Sequence, residues 1–179
     1  MSWTSDPAFE TDQDIDIMSA KIATILGATG NQGAGVLSAL LQGAIKYHIR
    51  AITRRPESDA AKSLRTKGVE VVQADLNNPD SLRAAFAGSH VVFAVTDFFE
   101  TFAANGPVEA MDIEAQQGIN VAKAAAVTAS LEHFIWSSLP NSTKISSDKY
   151  TVPHFESKNR IDSFIRQHKE LLARRRSSG

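Results

Sequence analysis

The 179-residue chain contains no cysteine. This absence excludes disulfides, cysteine-ligated zinc, thiol nucleophiles and thiol-based redox sensing. Any redox role must therefore depend on a bound cofactor. Asp12, Asp14 and Asp16 alternate like the start of a calcium-binding loop, but Ile17 and Ala23 stand where that loop needs a glycine and a glutamate. We predict no metal site.

Net charge and long apolar runs are lacking as well. The 19 basic and 20 acidic residues leave a formal net charge of -1, which gives no overall attraction to nucleic acid or to anionic lipid. No apolar run approaches the ~18 residues needed to span a bilayer, and the N-terminus lacks the basic start and apolar core of a signal peptide. We expect no direct nucleic-acid binding and no membrane association. The expected location is the cytoplasm, with the nucleus as a second location.

The two ends of the chain differ in composition from the middle. The first acidic residues all precede Lys21, the first basic residue, whereas three consecutive arginines stand close to the other end. Both ends have the composition of solvated tails. We predict an acidic disordered extension over residues 1–20, one domain over 21–167 and a basic tail over 168–179.

Between the tails, short apolar runs rich in β-branched and aromatic residues alternate with segments of helical periodicity. This alternation is typical of successive strand and helix units in a parallel sheet that is buried on both faces. It predicts an α/β fold, a Rossmann-type doubly wound parallel sheet of about five strands. The predicted strands are 22–26, 49–53, 69–74, 90–95 and 133–136, and the predicted helices are 33–41, 58–67, one starting at 78–80, and 108–126.

Local signals refine two of these helices. Asn78 can cap the third helix, and Pro79 supplies a helical φ at its first position. Gly118 lies inside the fourth helix, where glycine costs ~1 kcal/mol relative to alanine, so we expect it to mark close packing of the helix on the sheet. The polar stretch 140–153 is predicted to be an active-site loop or a disordered one.

A glycine-rich run with the spacing G-x-x-G-x-x-G joins the first predicted strand to the first helix. Gly27 permits a tight turn, Gly30 lets the backbone approach a pyrophosphate, and Gly33 lets the helix pack closely on the strand. Free amides at the helix start would then face the phosphates. The alternative is that the glycines only make a tight turn. The candidate cofactor-binding residues are Gly27, Ala28, Thr29, Gly30, Asn31, Gln32 and Gly33.

The end of the second strand indicates which dinucleotide binds. An NAD-selective site would place Asp or Glu there to bind the ribose hydroxyls, but this chain has Arg54 and Arg55. A guanidinium can meet a 2′-phosphate with charge-assisted hydrogen bonds. We therefore predict a preference for NADP(H), with Arg54 as the stronger candidate. The alternative is that both arginines are ordinary surface charges.

The next two strand ends supply further candidates. Asp75 can accept a hydrogen bond from the adenine amino group while Leu76 packs on the ring, although Asp75 could equally be a loop or cap residue. Thr96 and Phe98 follow the fourth strand at the carboxyl edge of the sheet, where ligands of doubly wound folds collect. Phe98 is equally suited to an apolar cluster with two nearby phenylalanines, either a lid or a partner-facing surface.

The glycine-rich run, the Arg54-Arg55 pair, Asp75-Leu76, residues 137–141 and residues 150–158 together resemble the NmrA-like family. That family is a branch of the atypical short-chain dehydrogenase/reductases, and it contains both NADP-sensing transcriptional co-regulators and oxidoreductases. The resemblance spans residues 21–167. Its most specific part is the segment H-F-x-x-K after a Ser-Ser strand end.

The resemblance implies that Lys158 contacts the nicotinamide ribose, and in reductase-like relatives a lysine of this kind also serves in proton transfer. The alternative is that Lys158 is a surface lysine on a helix. Short-chain dehydrogenases use Tyr-x-x-x-Lys, but the tyrosine position here is His154. His154 could shuttle a proton near neutral pH or be a structural residue at a helix start. Ser137 and Ser138 stand where short-chain dehydrogenases place a substrate-polarising hydroxyl, although a plain strand-end cap is an equal alternative.

The chain also departs from the family after the segment that contains Lys158. Family members continue with a sixth strand and the segments of the substrate pocket, so the sequence looks truncated at its C-terminus. The fifth strand would then be an apolar edge, which predicts weak stability or a homo-oligomer.

Two functions follow from these features. The first is an NADP(H)-dependent oxidoreductase acting on a small organic substrate. The second is a non-catalytic NADP(H)-sensing regulator that acts through a protein partner, which the missing tyrosine favours. A third interpretation is a fragment that binds weakly or not at all.

Overall fold

A computed structural model describes residues 20–169 and residue 171. Its centre is one five-stranded sheet in the order β3-β2-β1-β4-β5, and every neighbouring pair of strands is parallel. This confirms the predicted Rossmann-type α/β fold. The strands are β1 (Ile22–Leu26), β2 (His48–Thr53), β3 (Glu70–Gln73), β4 (Ser89–Ala94) and β5 (His133–Trp136).

Helices connect the strands, and their starts follow the capping signals in the sequence. The Asn78 side chain accepts hydrogen bonds from the amides of Asp80 and Ser81, with Pro79 in the first turn, as predicted. The helices are α1 (Asn31–Gln42), α2 (Asp59–Arg65), α3 (Pro79–Phe86), α4 (Phe99–Ala126), α5 (Ser142–Ile145) and α6 (Pro153–Gln167). The polar loop predicted at 140–153 thus contains the short helix α5.

Helix α4 is longer than the predicted segment 108–126. It starts at Phe99 and is interrupted at Gly106, whose φ of 74° and ψ of 176° are not helical. Pro107 follows directly, and proline has no amide hydrogen with which to continue the helical ladder. The sequence predicted that the helix starts just after this kink, at residue 108. The structure has a further helical segment before the kink.

The sheet is buried on both faces. One apolar cluster includes Leu37 of α1 and Leu64 of α2, packed on Ile25 and Phe93. The other brings together side chains of α3, α4 and α6 on the opposite face. At one edge of the sheet, β5 pairs with β4, and its Ile135 is 49% exposed. Among residues 20–169 and 171, no sixth strand joins this sheet.

Gly118 marks a close contact, but the predicted partner was wrong. A Cβ at this position would lie 2.3 Å from Cδ1 and 2.7 Å from Cγ1 of Ile161 on α6. The glycine therefore allows close packing of one helix on another, α4 on α6, rather than of a helix on the sheet. Sequence periodicity shows which face of a helix is apolar but not which element covers it.

Both predicted tails fall almost entirely outside the described residues. The acidic extension, with its alternating aspartates, is described only at residue 20, and the basic tail only at His168, Lys169 and Leu171. Within the described part of the chain, no helix combines the length and the apolar character needed to cross a membrane.

Candidate functional site

The glycine-rich turn lies between β1 and α1, at the carboxyl edge of the sheet. Gly27 has a φ of +69°, and a Cβ on Gly33 would lie 2.1 Å from the Gly27 carbonyl oxygen. The Gly30 amide donates to that same oxygen at 2.9 Å. No side chain caps the first turn of α1 in the described structure. Its amides are therefore available to an anion, and the missing side chains leave room for a phosphate close to the backbone.

A cavity of about 210 Å³ lies beside this turn and collects residues that the sequence proposed separately. Gly27 and Thr29 line one side, and Arg54 and Arg55 line another, after β2. Leu76 and Thr96 close it from the ends of β3 and β4. Parallel strands bring their carboxyl ends to one edge, which is why segments far apart in sequence meet here.

An adjoining cavity of about 340 Å³ lies where the adenine was predicted, and Asp75 and Arg54 line it. The Asp75 carboxylate accepts a 2.8 Å hydrogen bond from the Asn77 amide, and the Asp75 amide donates to Ser81 Oγ at 3.1 Å. Asp75 therefore also shapes its own loop. Leu76 is partly buried, and its carbonyl accepts a 2.9 Å hydrogen bond from Asn120.

Arg54 and Arg55 differ in their surroundings. The Arg54 guanidinium forms an ion pair with Glu100 in the first turn of α4, and both side chains are more than one-third exposed. Arg55 is exposed, and its amide donates to Thr53 Oγ1 at 3.1 Å. Glu100 also lines the 210 Å³ cavity, although no motif in the sequence pointed to it.

Lys158 lies at the centre of a buried polar cluster on α6, α4 and the end of β4. Its Nζ donates to the Thr96 carbonyl oxygen and to Thr96 Oγ1, each at 2.7 Å, and lies 3.0 Å from Glu114 Oε1. Thr96 Oγ1 in turn donates to Glu114 Oε1 at 2.7 Å, and Ser157 Oγ donates to Glu114 Oε2. An ammonium has three hydrogens, so all of them have partners in this arrangement.

The cluster changes the protonation behaviour of Lys158. Burial is the largest influence on the pKa of its ammonium and lowers it from the ordinary 10.5, while the negative charges of Glu114 and Asp97 offset part of that effect. The Trp136 ring lies 5.0 Å from Nζ and favours the charged form. A lysine with a lowered pKa gives up its proton more readily than an exposed one, as proton transfer requires.

His154 and Ser137, two further catalytic candidates, lie at the same edge of the sheet as Lys158 but contact different residues. His154 packs against the rings of Phe98, Phe99 and Phe155, with centroids 5.9, 5.3 and 4.7 Å away. Ser137 Oγ donates to Gln32 Oε1 at 2.6 Å, which ties the end of β5 to the glycine-rich turn.

The other candidates differ in exposure. Ser138, Gly30, and Asn31 and Gln32 at the start of α1 are exposed, whereas Ala28 and Phe98 are buried. Ala28 lines a separate groove between α1 and α2.

Glu114 was missed in the sequence although a signal was present. It lies on the inner face of α4 with Ala110, Gln117 and Val121, at spacings of about one and two helical turns. A carboxylate on such a face must find a partner, because burying an unpaired charge is costly. The sequence did not show that the partner is Lys158.

A family model described as the NmrA-like family matches residues 18–173. An NmrA-like family domain-containing oxidoreductase of Aspergillus hancockii is 37% identical over 154 residues, which cover 86% of this chain and 44% of that relative. The chain thus spans less than half the length of this curated relative.

Two solved structures extend the comparison. The triphenylmethane reductase of Citrobacter sp. in complex with NADP(H) is 27% identical with a TM-score of 0.62, covering 82% of this chain and 45% of its own. The negative transcriptional regulator NmrA in complex with NADP is 25% identical with a TM-score of 0.67, covering 84% and 43%. The relatives therefore include both a reductase and a regulator.

Proposed function

Because the chain belongs to the NmrA-like family, we propose that it is an NADP(H)-binding oxidoreductase that passes a hydride between the nicotinamide and an organic substrate. The observation that carries this proposal is that the glycine-rich turn and both arginines line one cavity. The reductase and the regulator compared above are each described in complex with an NADP cofactor, which supports binding of a dinucleotide. NmrA is also described in complex with NAD, so the choice of NADP(H) rests on Arg54 and Arg55.

In this proposal the two ends of the cavity bind different phosphates. The uncapped amides of the first turn of α1, and the positive end of its dipole, hold the pyrophosphate. Arg54 and Arg55 bind the 2′-phosphate, which a carboxylate at the end of β2 would repel. Asp75 accepts a hydrogen bond from the adenine amino group, and Leu76 packs on the adenine ring.

The bound nicotinamide supplies the hydride chemistry, and the protein orients it and manages protons. Lys158 binds the nicotinamide ribose, for which it exchanges one of its present hydrogen-bond partners. Thr96 and Glu114 fix its ammonium at the end of β4. Ser137 or Ser138 polarises the substrate, and His154 is the candidate proton donor in the tyrosine position.

The test is a titration of the purified 179-residue chain with NADPH and with NADH, followed by a screen for NADPH oxidation with ketones, enones and triphenylmethane dyes. We expect saturable binding that favours NADPH. Arg54→Ala should weaken NADPH binding by about tenfold, because a charge-assisted hydrogen bond to phosphate is lost, and should leave NADH binding unchanged. Arg83→Ala is the matched control, since Arg83 is exposed and pairs with Asp80 on α3. No saturable binding of either dinucleotide would rule out the proposal.

The alternative is a non-catalytic NADP(H)-sensing regulator that acts through a protein partner. Two observations favour it: His154 is packed among aromatic rings, and the three hydrogens of the Lys158 ammonium are engaged. Tight NADPH binding without turnover of any substrate in the screen would support this alternative. Substrate-dependent oxidation of NADPH in the same screen would support the enzyme.

A further inference from the structure

A carboxylate pairs with the guanidinium that is proposed to bind the 2′-phosphate. Glu100, in the first turn of α4, forms an ion pair with Arg54 Nη2 across 46 positions of sequence. Glu100 also lines the 210 Å³ cavity together with Gly27 and Thr29 of the glycine-rich turn. The ion pair therefore lies inside the proposed dinucleotide site, not at a distant surface.

We propose that Glu100 is a specificity-determining residue that competes with the 2′-phosphate for Arg54 and so limits the preference for NADP(H) over NAD(H). This inference rests on the proposed function. A phosphate and a carboxylate both accept hydrogen bonds from a guanidinium, so a 2′-phosphate that takes the Nη2 donors of Arg54 displaces the Glu100 carboxylate. NAD(H) carries no 2′-phosphate and leaves the ion pair intact.

Charge in the cavity favours this competition. Asp97, three residues before Glu100, is a second carboxylate in the lining, whereas Arg54 and Arg55 are its only basic side chains among the described residues. A 2′-phosphate brings up to two further negative charges into this balanced set. Glu100 therefore opposes NADP(H) both by occupying Arg54 and by repelling the phosphate at short range.

The exposure of the pair sets the size of the effect. The Arg54 and Glu100 side chains are 45% and 41% exposed, so water and salt screen them. An exposed ion pair has a small net strength, which corresponds to a change of about fivefold in a competing affinity. The effect should fade as ionic strength rises, because screening weakens both the pair and the repulsion.

Glu100→Gln tests the proposal, since it removes the charge and keeps the shape. Glu109→Gln is the matched control, because Glu109 is exposed on the same helix and does not line the cavity. Dissociation constants for NADP+, NADPH and NAD+ are measured at low and at high salt by calorimetry or by fluorescence. Thermal unfolding of each variant checks that it is folded.

We expect Glu100→Gln to bind NADP(H) about fivefold more tightly at low salt, with NAD+ affinity unchanged and with Glu109→Gln like the wild type. In an Arg54→Ala background the gain should shrink to the part that comes from direct repulsion of the phosphate, because the competition needs Arg54. If the ratio of NADP+ affinity to NAD+ affinity is the same in the wild type and in Glu100→Gln, this inference is overturned but the proposed function is not. Weaker NAD+ binding with unchanged NADP+ binding would also overturn it, because Glu100 would then hold the ribose. Absence of binding in the wild type and in Glu100→Gln would overturn the proposed function and this inference together.

Discussion

Glu114 of α4 and Lys158 of α6 form an ion pair with a 3.0 Å separation between Oε1 and Nζ, and their side chains are only 0% and 7% exposed. Removing two charges from water is costly, and the pair persists because each remaining polar atom has a partner. Thr96 and Ser157 donate to the carboxylate, and the Thr96 carbonyl accepts from the ammonium. The pair joins two helices beneath the candidate site.

Breaking this pair should be costly for stability. Glu114→Met leaves a buried ammonium without its counter-charge, and we expect it to lower the free energy of unfolding by about 3–5 kcal/mol. The double variant Glu114→Met/Lys158→Met removes both charges and should recover much of that loss. Urea denaturation of the wild type, both single variants and the double variant measures the coupling. A double variant no more stable than Glu114→Met would contradict this account.

Two glycines of the same helix should respond oppositely to alanine. In Gly33→Ala the new Cβ would lie 2.1 Å from the Gly27 carbonyl, so we expect a loss of about 1–3 kcal/mol and weaker NADPH binding. In Gly35→Ala nothing lies within 4 Å of the new Cβ, and the higher helix propensity of alanine should stabilise the protein by up to about 1 kcal/mol. Thermal unfolding and NADPH titration compare the two variants. Similar destabilisation by both substitutions would argue against the close approach at Gly33.

The contact between α4 and α6 at Gly118 can be tested by a double-mutant cycle. Gly118→Ala should destabilise the protein by about 1–3 kcal/mol, because its Cβ meets the fully buried Ile161. Ile161→Val removes Cδ1, the nearest atom, and alone should cost about 0.5–1.5 kcal/mol. The combined loss should be smaller than the sum of the two single losses. Strict additivity in urea denaturation would show that the two side chains do not compete for this space.

Glu70 should give the protein a measurable acid sensitivity. Burial raises the pKa of this carboxyl, but hydrogen bonds and charge from Arg50 and His48 outweigh burial and hold the pKa below the ordinary 4.5. A carboxylate whose pKa is lowered by folding stabilises the protein above its unfolded pKa, and this stability is lost as the pH falls through the folded pKa.

The measurement is the free energy of unfolding of wild type and Glu70→Gln from pH 7 down to pH 3. At pH 7 we expect the free energies of unfolding of the two proteins to differ by about 1 kcal/mol, a value discounted for the partial exposure of Glu70. This difference should shrink as the pH falls below about 4.5. Glu57→Gln is the control, since its 3.6 Å ion pair with Arg65 is far more exposed. A difference that stays constant over this pH range would contradict the assigned role of Glu70.

Several features could be predicted because their signals are local. The β-branched runs, the Asn78 cap and the glycine-rich turn act within a strand or a single helical turn, and the structure has the strands, the cap and the turn where the sequence placed them. The parallel order of the strands then brought Gly27, Arg54 and Thr96 to one edge. The roles of Lys158, His154 and the serines in catalysis stay predictions.

The sequence by itself thus determined the type of fold, the glycine-rich turn that is proposed to hold a phosphate and the arginines that are proposed to select the dinucleotide. Only the tertiary structure decided which residues form the two ion pairs, Lys158 with Glu114 and Arg54 with Glu100. It also decided that Gly118 faces Ile161. The partners in each pair are far apart in the chain; Arg54 and Glu100, for example, are separated by 46 positions. The periodicity of a helix shows which face is buried, but which charge meets another there depends on how separate elements pack.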